Sequence, residues 1–154
     1  AYRARPMWIK SVGVVVIGRN EGERLRRCLE SVGEASGRIY VDSGSTDGSQ
    51  LLAAKLGFDV VELDLATPFT AARARNAGIQ RLLQSGSPPE FIQFVDGDCE
   101  LHPDWIGTAL ADIARDPLIA AVCGRRREID PLRNIYHEAC DHEWAMPVGF
   151  VPSC

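Results

Sequence analysis

Several features are missing from this 154-residue chain. No apolar stretch approaches the roughly 20 residues a membrane helix needs. The longest, Val12 to Ile17, is strand-sized and interrupted by Gly13. Nor is there an excess of positive charge: 17 Lys and Arg stand against 21 Asp and Glu. The net charge of −4 leaves no basic footprint for nucleic acid. CxxC is absent, and the five cysteines (Cys28, Cys99, Cys123, Cys140, Cys154) are odd in number, so they read as reduced thiols of a cytoplasmic protein. The basic N-terminus (Arg3, Arg5, Lys10) has no apolar region behind it and is not a secretory signal. GxxxxGKS/T and GxGxxG are also absent, which removes the usual support for ATP hydrolysis and dinucleotide binding.

What is present is a 45% hydrophobic composition, enough for a core, on a length suited to one domain spanning residues 1–154. Strand-like runs alternate with helical periodicity. The strands are expected at 11–18, 38–43, 58–64, 91–96 and 118–129. Asn20 is placed to cap a first helix whose apolar face is Leu25, Cys28, Leu29 and Val32. Thr46 or Asp47 would cap a second helix ended by Gly57. Thr70 starts a third, "AARARNAGIQRLLQ". His102 to Arg115 forms a fourth, and a last helical pattern runs from Leu132 to near Trp144. Such alternation predicts an α/β sandwich: a mostly parallel, Rossmann-like sheet with helices on both faces. Ligands of such sheets bind beyond the strands' carboxyl ends. Those ends carry Arg19-Asn20-Glu21, Asp42-Ser43, Asp64 and Asp96-Gly97-Asp98. The final "EWAMPVGFVPSC" stops mid-pattern and reads as a C-terminal truncation.

Asp96 and Asp98 close a strand expected to be central, with only Gly97 between them. Two carboxylates so close need a positive charge. A Mg²⁺ or Mn²⁺ held by one or two carboxylates and substrate phosphates would supply it; the alternative is a pair of solvated turn residues. Other metal motifs fit worse. An EF-hand loop from Asp96 would need Gly and Glu where Leu101 and Gly107 stand. A dehalogenase-type phosphatase carries DxD on its first strand. "HEACDH" (137–142) misses HExxH spacing by one residue. Asp42 either accepts from a base or ribose, or is a turn residue of the Ser/Gly-rich segment after it. Arg73 and Arg75 sit in the first turns of a helix, where a cation opposes the dipole, so an anionic partner or a surface carboxylate is expected. Arg125, Arg126 and Arg127 read as a solvated charge run.

"VVVIGRNEGERLRRCLESV", "YVDSGSTDGS", "ARARNAG" and "FVDGDCEL" together resemble the family 2 glycosyltransferases in order and spacing, over most of residues 12 to 128. The resemblance implies a GT-A fold and inverting transfer of a sugar from a nucleotide diphosphate donor, commonly a UDP-sugar. It implies that Ile17, Gly18, Arg19, Asn20 and Glu21 line the nucleotide. Asp42 would hold the base, Arg75 would lie near the donor, and Asp96 and Gly97 would meet the ribose or metal. Asp96 and Asp98 would carry Mn²⁺ or Mg²⁺. Arg19 stands where the family has an aromatic residue. The acceptor (a saccharide, a lipid-linked sugar or a small molecule) is unspecified, and peripheral membrane association stays open. The family's general base is expected beyond Cys154; a chain active by itself would have to find one among Glu128, Asp141 and Glu143. Two alternatives remain: a non-catalytic donor-binding module, and a nucleotidyltransferase on a similar sheet.

Overall fold

A run in which Val14, Val15 and Val16 are all apolar can be buried only if both faces of its strand are covered. In the computed structural model, which describes residues 11–145, that is what happens. The readings made on the N-terminal basic residues and on the last nine positions lie outside this span. β1 (Val12–Gly18) pairs in parallel with β2 (Gly37–Asp42) on one side and β4 (Phe91–Asp96) on the other. β3 (Asp59–Glu62) pairs in parallel with β2, giving the order β3-β2-β1-β4. On one face Val14, Val16 and Tyr40 pack with Leu25, Cys28, Leu29 and Val32 of α1 (Glu23–Val32) and Ala53 of α2 (Ser49–Lys55). On the other, Val15, Ile17, Ile39 and Val41 pack with Ala74 and Leu82 of α3 (Ala71–Leu83). Burial of each large aliphatic side chain contributes about 1.5–3 kcal/mol. The expected α/β sandwich is therefore present in this unit, which ends at Pro103.

A second compact unit begins at Asp104. It carries α4 (Trp105–Ile113) and α5 (Ile135–Trp144), the latter capped by Asn134 Oδ1, which accepts from the amides of Tyr136 and His137. The strand expected at 118–129 is not formed. Leu118 and Ile129 are exposed, the segment holds three consecutive arginines, and no described strand pairs with it. For the same reason β4 is an edge strand among the described residues rather than the central one expected.

Helix starts also differ from expectation. Asn20 does not cap α1; Gly22 precedes it, and Asn20 adopts φ 55°. Gly48 rather than Thr46 or Asp47 precedes α2. Thr70 does cap α3, its Oγ1 accepting from the Arg73 amide at 3.1 Å.

α3 is seated by three glycines. Gly13 and Gly37 are register partners, and a Cβ on either would stand 2.9 or 2.6 Å from a Leu82 methyl. The pair forms the hole that Leu82 fills. Gly78, from the "RNAG" stretch, meets Val15 so closely that a Cβ would overlap its Cγ1 and lie 2.9 Å from Cγ2. Gly78→Ala is therefore expected to lose about 1–3 kcal/mol through overpacking, although alanine gains nearly 1 kcal/mol in helix propensity. Urea denaturation measures this; a variant as stable as the parent would contradict the packing account.

Candidate nucleotide site

The loops after β1, β2 and β4 meet at one rim because β2 and β4 both flank β1. Gly18 is opposite Asp42 and Ile17 opposite Asp96. Two strand spacings, about 10 Å, thus separate the Asp42 and Asp96 backbones.

Asp42 faces inward. It is 1% exposed, and its carboxylate accepts from four donors. Oδ1 takes the Tyr40 hydroxyl at 3.0 Å. Oδ2 takes the amides of Gly44 (2.9 Å) and Ser45 (2.8 Å) and Gln50 Nε2 (3.0 Å). Burial, with the Asp42 charge adding to it, raises the Tyr40 phenol well above its ordinary pKa, so it stays a donor. Asp42 therefore orders the 43–50 turn. A second set of bonds ties this turn to the loop after β1. The Asn20 amide donates to Ser45 Oγ (2.9 Å), Asn20 Oδ1 accepts from the Thr46 amide (2.7 Å), and Asp47 Oδ2 accepts from the Gly22 amide (3.0 Å). The Ser49 hydroxyl donates to Asp47 Oδ1, and that bond, more than the backbone donors, holds the Asp47 carboxyl below its usual range.

The other expected residues divide between frame and surface. Ile17 is in the core, and its carbonyl accepts from Gly97 N at 2.8 Å. A Cβ on Gly97 would stand 3.1 Å from that carbonyl, a tight approach, so glycine eases the closure of the β4 turn on β1. The Gly18 carbonyl accepts from Ser43 N at 3.1 Å. Glu21 is mostly buried, pairs with Arg24 at 2.7 Å, and lies beside Gly97. Asp96 and Asp98 are both exposed. Asp96 Oδ1 accepts from Arg75 Nη2 at 2.7 Å, so a guanidinium supplies positive charge to this carboxylate pair. Asp98 Oδ1 has a 3.5 Å contact from Cys99 Sγ. Cys28 Sγ reaches the Asp96 carbonyl at 3.5 Å, and burial pushes that thiol up to about 12, so it is inert. No cluster of three or more His, Cys, Asp or Glu occurs among the described residues. Two open carboxylates still fit a hard cation whose remaining ligands are phosphate oxygens and waters.

Beyond the carboxyl ends of β2 and β3 lies a cleft of about 200 Å³, lined by Arg19, Ser43, Leu63, Leu65, Thr67, Pro68, Phe69 and Arg73. Only Arg19 of these was expected at a nucleotide. Ser43 is 1% exposed, and its hydroxyl has no hydrogen-bond partner among the described residues. Arg73 closes the loop before α3: its guanidinium donates to the carbonyls of Asp64 (2.8 Å) and Thr67 (3.0 Å). That satisfies the cation at the helix start without a ligand. Two signals for the cleft stood in the sequence. Ser43 is one residue on from Asp42 in an alternating strand, and Leu65 and Phe69 are apolar residues in a loop.

In the second unit, Asp141 Oδ1 accepts from Glu128 N (2.9 Å) and Arg127 Nε (3.1 Å). The amide first and the guanidinium second hold its carboxyl below the usual range, which makes it a weak base. Glu128 pairs with His137 Nδ1 at 3.0 Å, and Glu143 is exposed on α5.

The chain belongs to glycosyl transferase family 2, whose family model matches residues 13–149. Among curated proteins it is similar to glycosyltransferase AglE of Haloferax volcanii, 29% identical over 112 residues that cover 67% of this chain and 35% of that protein. Among solved structures it is similar to TarS of S. aureus, with TM-score 0.53, 22% identity, and coverage of 68% of this chain and 20% of that one. It is also similar to glucosyl-3-phosphoglycerate synthase from Mycobacterium tuberculosis, solved with Mn²⁺, uridine diphosphate and glucosyl-3-phosphoglycerate. That match has TM-score 0.52, 22% identity, and covers 72% of this chain and 46% of the synthase. At such identities the two structures speak for the fold, which is the GT-A fold. The chain spans about a third of the curated relative and less than half of either structure. No helix among the described residues is long and apolar enough to cross a membrane.

The knot at Asn20 generates a test. A left-handed conformation costs a residue with a Cβ about 1–2 kcal/mol, and the bond to Thr46 is worth about 0.5–1.5 kcal/mol net. Asn20→Ala is expected to lose about 1–3 kcal/mol in chemical denaturation, and Asn20→Gly distinctly less. Equal losses would show that backbone conformation at this position is not what Asn20 supplies.

Proposed function

We propose that this chain is the nucleotide-sugar-binding part of an inverting glycosyltransferase that takes a UDP-sugar and uses Mn²⁺ or Mg²⁺. The observation that carries the reading is the rim. A cleft suited to a base lies past β2 and β3, and the open carboxylates Asp96 and Asp98 lie past β4. The roughly 10 Å between β2 and β4 suits a nucleoside diphosphate laid across the end of β1, with its base over the cleft and its phosphates toward Asp98. Arg19 and the Gly18 backbone then run beneath it.

Asp42 serves this site by shaping the turn rather than by meeting the base, because its oxygens already accept four hydrogen bonds. Asp98 is the principal metal-holding carboxylate and Asp96 its neighbour. Arg75 keeps Asp96 neutralised before the donor arrives and turns to the donor's phosphates afterwards. A bound divalent cation would offset the charge that builds on the departing nucleotide diphosphate. Transfer to an acceptor hydroxyl belongs to the whole protein, including a general base that we place outside this chain.

Calorimetry tests the donor site. Uridine diphosphate is expected to bind more tightly with Mn²⁺ than with a chelator present, and Asp98→Ala to lose most of that difference while keeping the parent's denaturation midpoint. Equal affinity with and without metal would overturn metal-assisted donor binding.

A further inference from the structure

Past its turn, the chain after β4 keeps the two-residue alternation of a strand. Cys99 and Leu101 are half-buried and pack on the core cluster that α1 covers, while Asp98 and Glu100 are exposed. α1 holds this stretch by three contacts. Arg27 Nε meets Glu100 Oε1 at 2.9 Å, an exposed pair of the kind that contributes little. Cys28 Sγ, a weak donor, reaches the Asp96 carbonyl at 3.5 Å, and the Cys99 amide donates to the same carbonyl at 2.9 Å. The third contact is the Ser31 hydroxyl. It donates to the Cys28 carbonyl, one turn back in its own helix, at 2.6 Å and accepts from the Leu101 amide at 2.9 Å. A serine bonded back onto its own helix adds nothing to that helix. Placing its single proton there, however, leaves the oxygen as an acceptor, and that acceptor is aimed at the loop.

We infer that Ser31 is a positioning residue for the cation that Asp98 would hold. The inference rests on the donor-binding reading above and concerns how firmly the carboxylate is set. Asp98 lies between two backbone anchors. Before it, the Gly97 amide is fixed to the Ile17 carbonyl of β1. After it, the Leu101 amide is fixed to Ser31 of α1. A cation shared between a carboxylate and phosphates binds best when the carboxylate need not be ordered at that moment, because ordering subtracts from affinity. Ser31 supplies the second anchor and acts through the backbone alone. Without its hydroxyl the Leu101 amide loses its acceptor, and residues 98–101 are loosened from α1. Removing an outer group that holds a metal's ligand typically weakens metal binding by roughly 10–100-fold. Ser31 acts one step further out, so an effect of about three- to tenfold is expected.

The test is calorimetric titration of the chain with UDP, once with Mn²⁺ and once with a chelator, on the parent, Ser31→Ala and Ser31→Thr. Alanine favours helix, so Ser31→Ala keeps α1. Ser31→Ala is expected to cut the Mn²⁺ enhancement of UDP affinity by about three- to tenfold and to leave the affinity in chelator unchanged. Ser31→Thr keeps the hydroxyl and should retain most of the enhancement. Amide hydrogen exchange without nucleotide or metal gives a second readout: the Leu101 amide should exchange faster in Ser31→Ala, and the β1 amides at the parent's rate. If Ser31→Ala weakens UDP equally with and without Mn²⁺, its role is structural and the inference fails. If the parent shows the Mn²⁺ enhancement and Ser31→Ala keeps it whole, the inference fails while the donor site stands. A parent without any enhancement overturns both.

Discussion

The buried Asp42 carboxylate is the constraint from which the rest of the rim follows. A charge at that depth is tolerated only when its lone pairs are filled, and four donors fill them. Three of these lie in the segment that follows: Gly44, Ser45 and Gln50. Fixing them fixes the turn. The turn in turn presents Ser45 Oγ, the Thr46 amide and Asp47 Oδ2 to the loop after β1. Hydrogen bonds to a charged group are worth about 1.5–3 kcal/mol each, so an anion inside the sheet edge can organise two loops that have no apolar core of their own. The left-handed Asn20 is part of the same arrangement, a local cost met by contacts 25 and 26 residues away.

The same logic separates the two carboxylate sites of the rim. Asp42 is internal and saturated; Asp96 and Asp98 are outside and open. Gly97 eases the approach of its amide to the Ile17 carbonyl, and both flanking aspartates stand in solvent. Arg75 sits against Asp96 as an exposed pair. Such pairs contribute about 0–1 kcal/mol, little enough for a phosphate to exchange with. Buried, hydrogen-bonded groups and exposed ones are thus divided between neighbouring residues of the same short motifs.

The layers and the strand order's parallel character could be read from the alternation of Val-rich runs with amphipathic segments. β1, β2 and β4 fall within one residue of expectation, because each is a run rich in apolar residues with a glycine or an aspartate at its end. The strand at 118–129 could not be judged the same way. An apolar run becomes a strand only if an edge is there to pair with it, and periodicity does not report edges. The helix start near Asn20 was misplaced because its side chain bonds across to the 43–50 turn; Asp47 bonds both across to the Gly22 amide and forward to the Ser49 amide, from one residue before the position that precedes α2. At the rim, the motif residues lie on neighbouring loops, but which of them are buried and bonded was not legible in the motifs. Asp42 follows Tyr40 on the face covered by α1 and α2, whereas Ser43 follows Val41 on the face covered by α3. The two-residue alternation carried that distinction, and attention to the charged residue hid it.

The central claim is that four loops from four strand ends act as one nucleotide site. Amide hydrogen exchange of the chain with and without uridine diphosphate and Mn²⁺ addresses it most directly. The account predicts added protection in residues 19–22, 43–50, 64–75 and 96–99 together, with the amides of β1 and α1 unchanged. Protection confined to one of these loops, or appearing in the unit after Pro103 while the rim is unaffected, would contradict it.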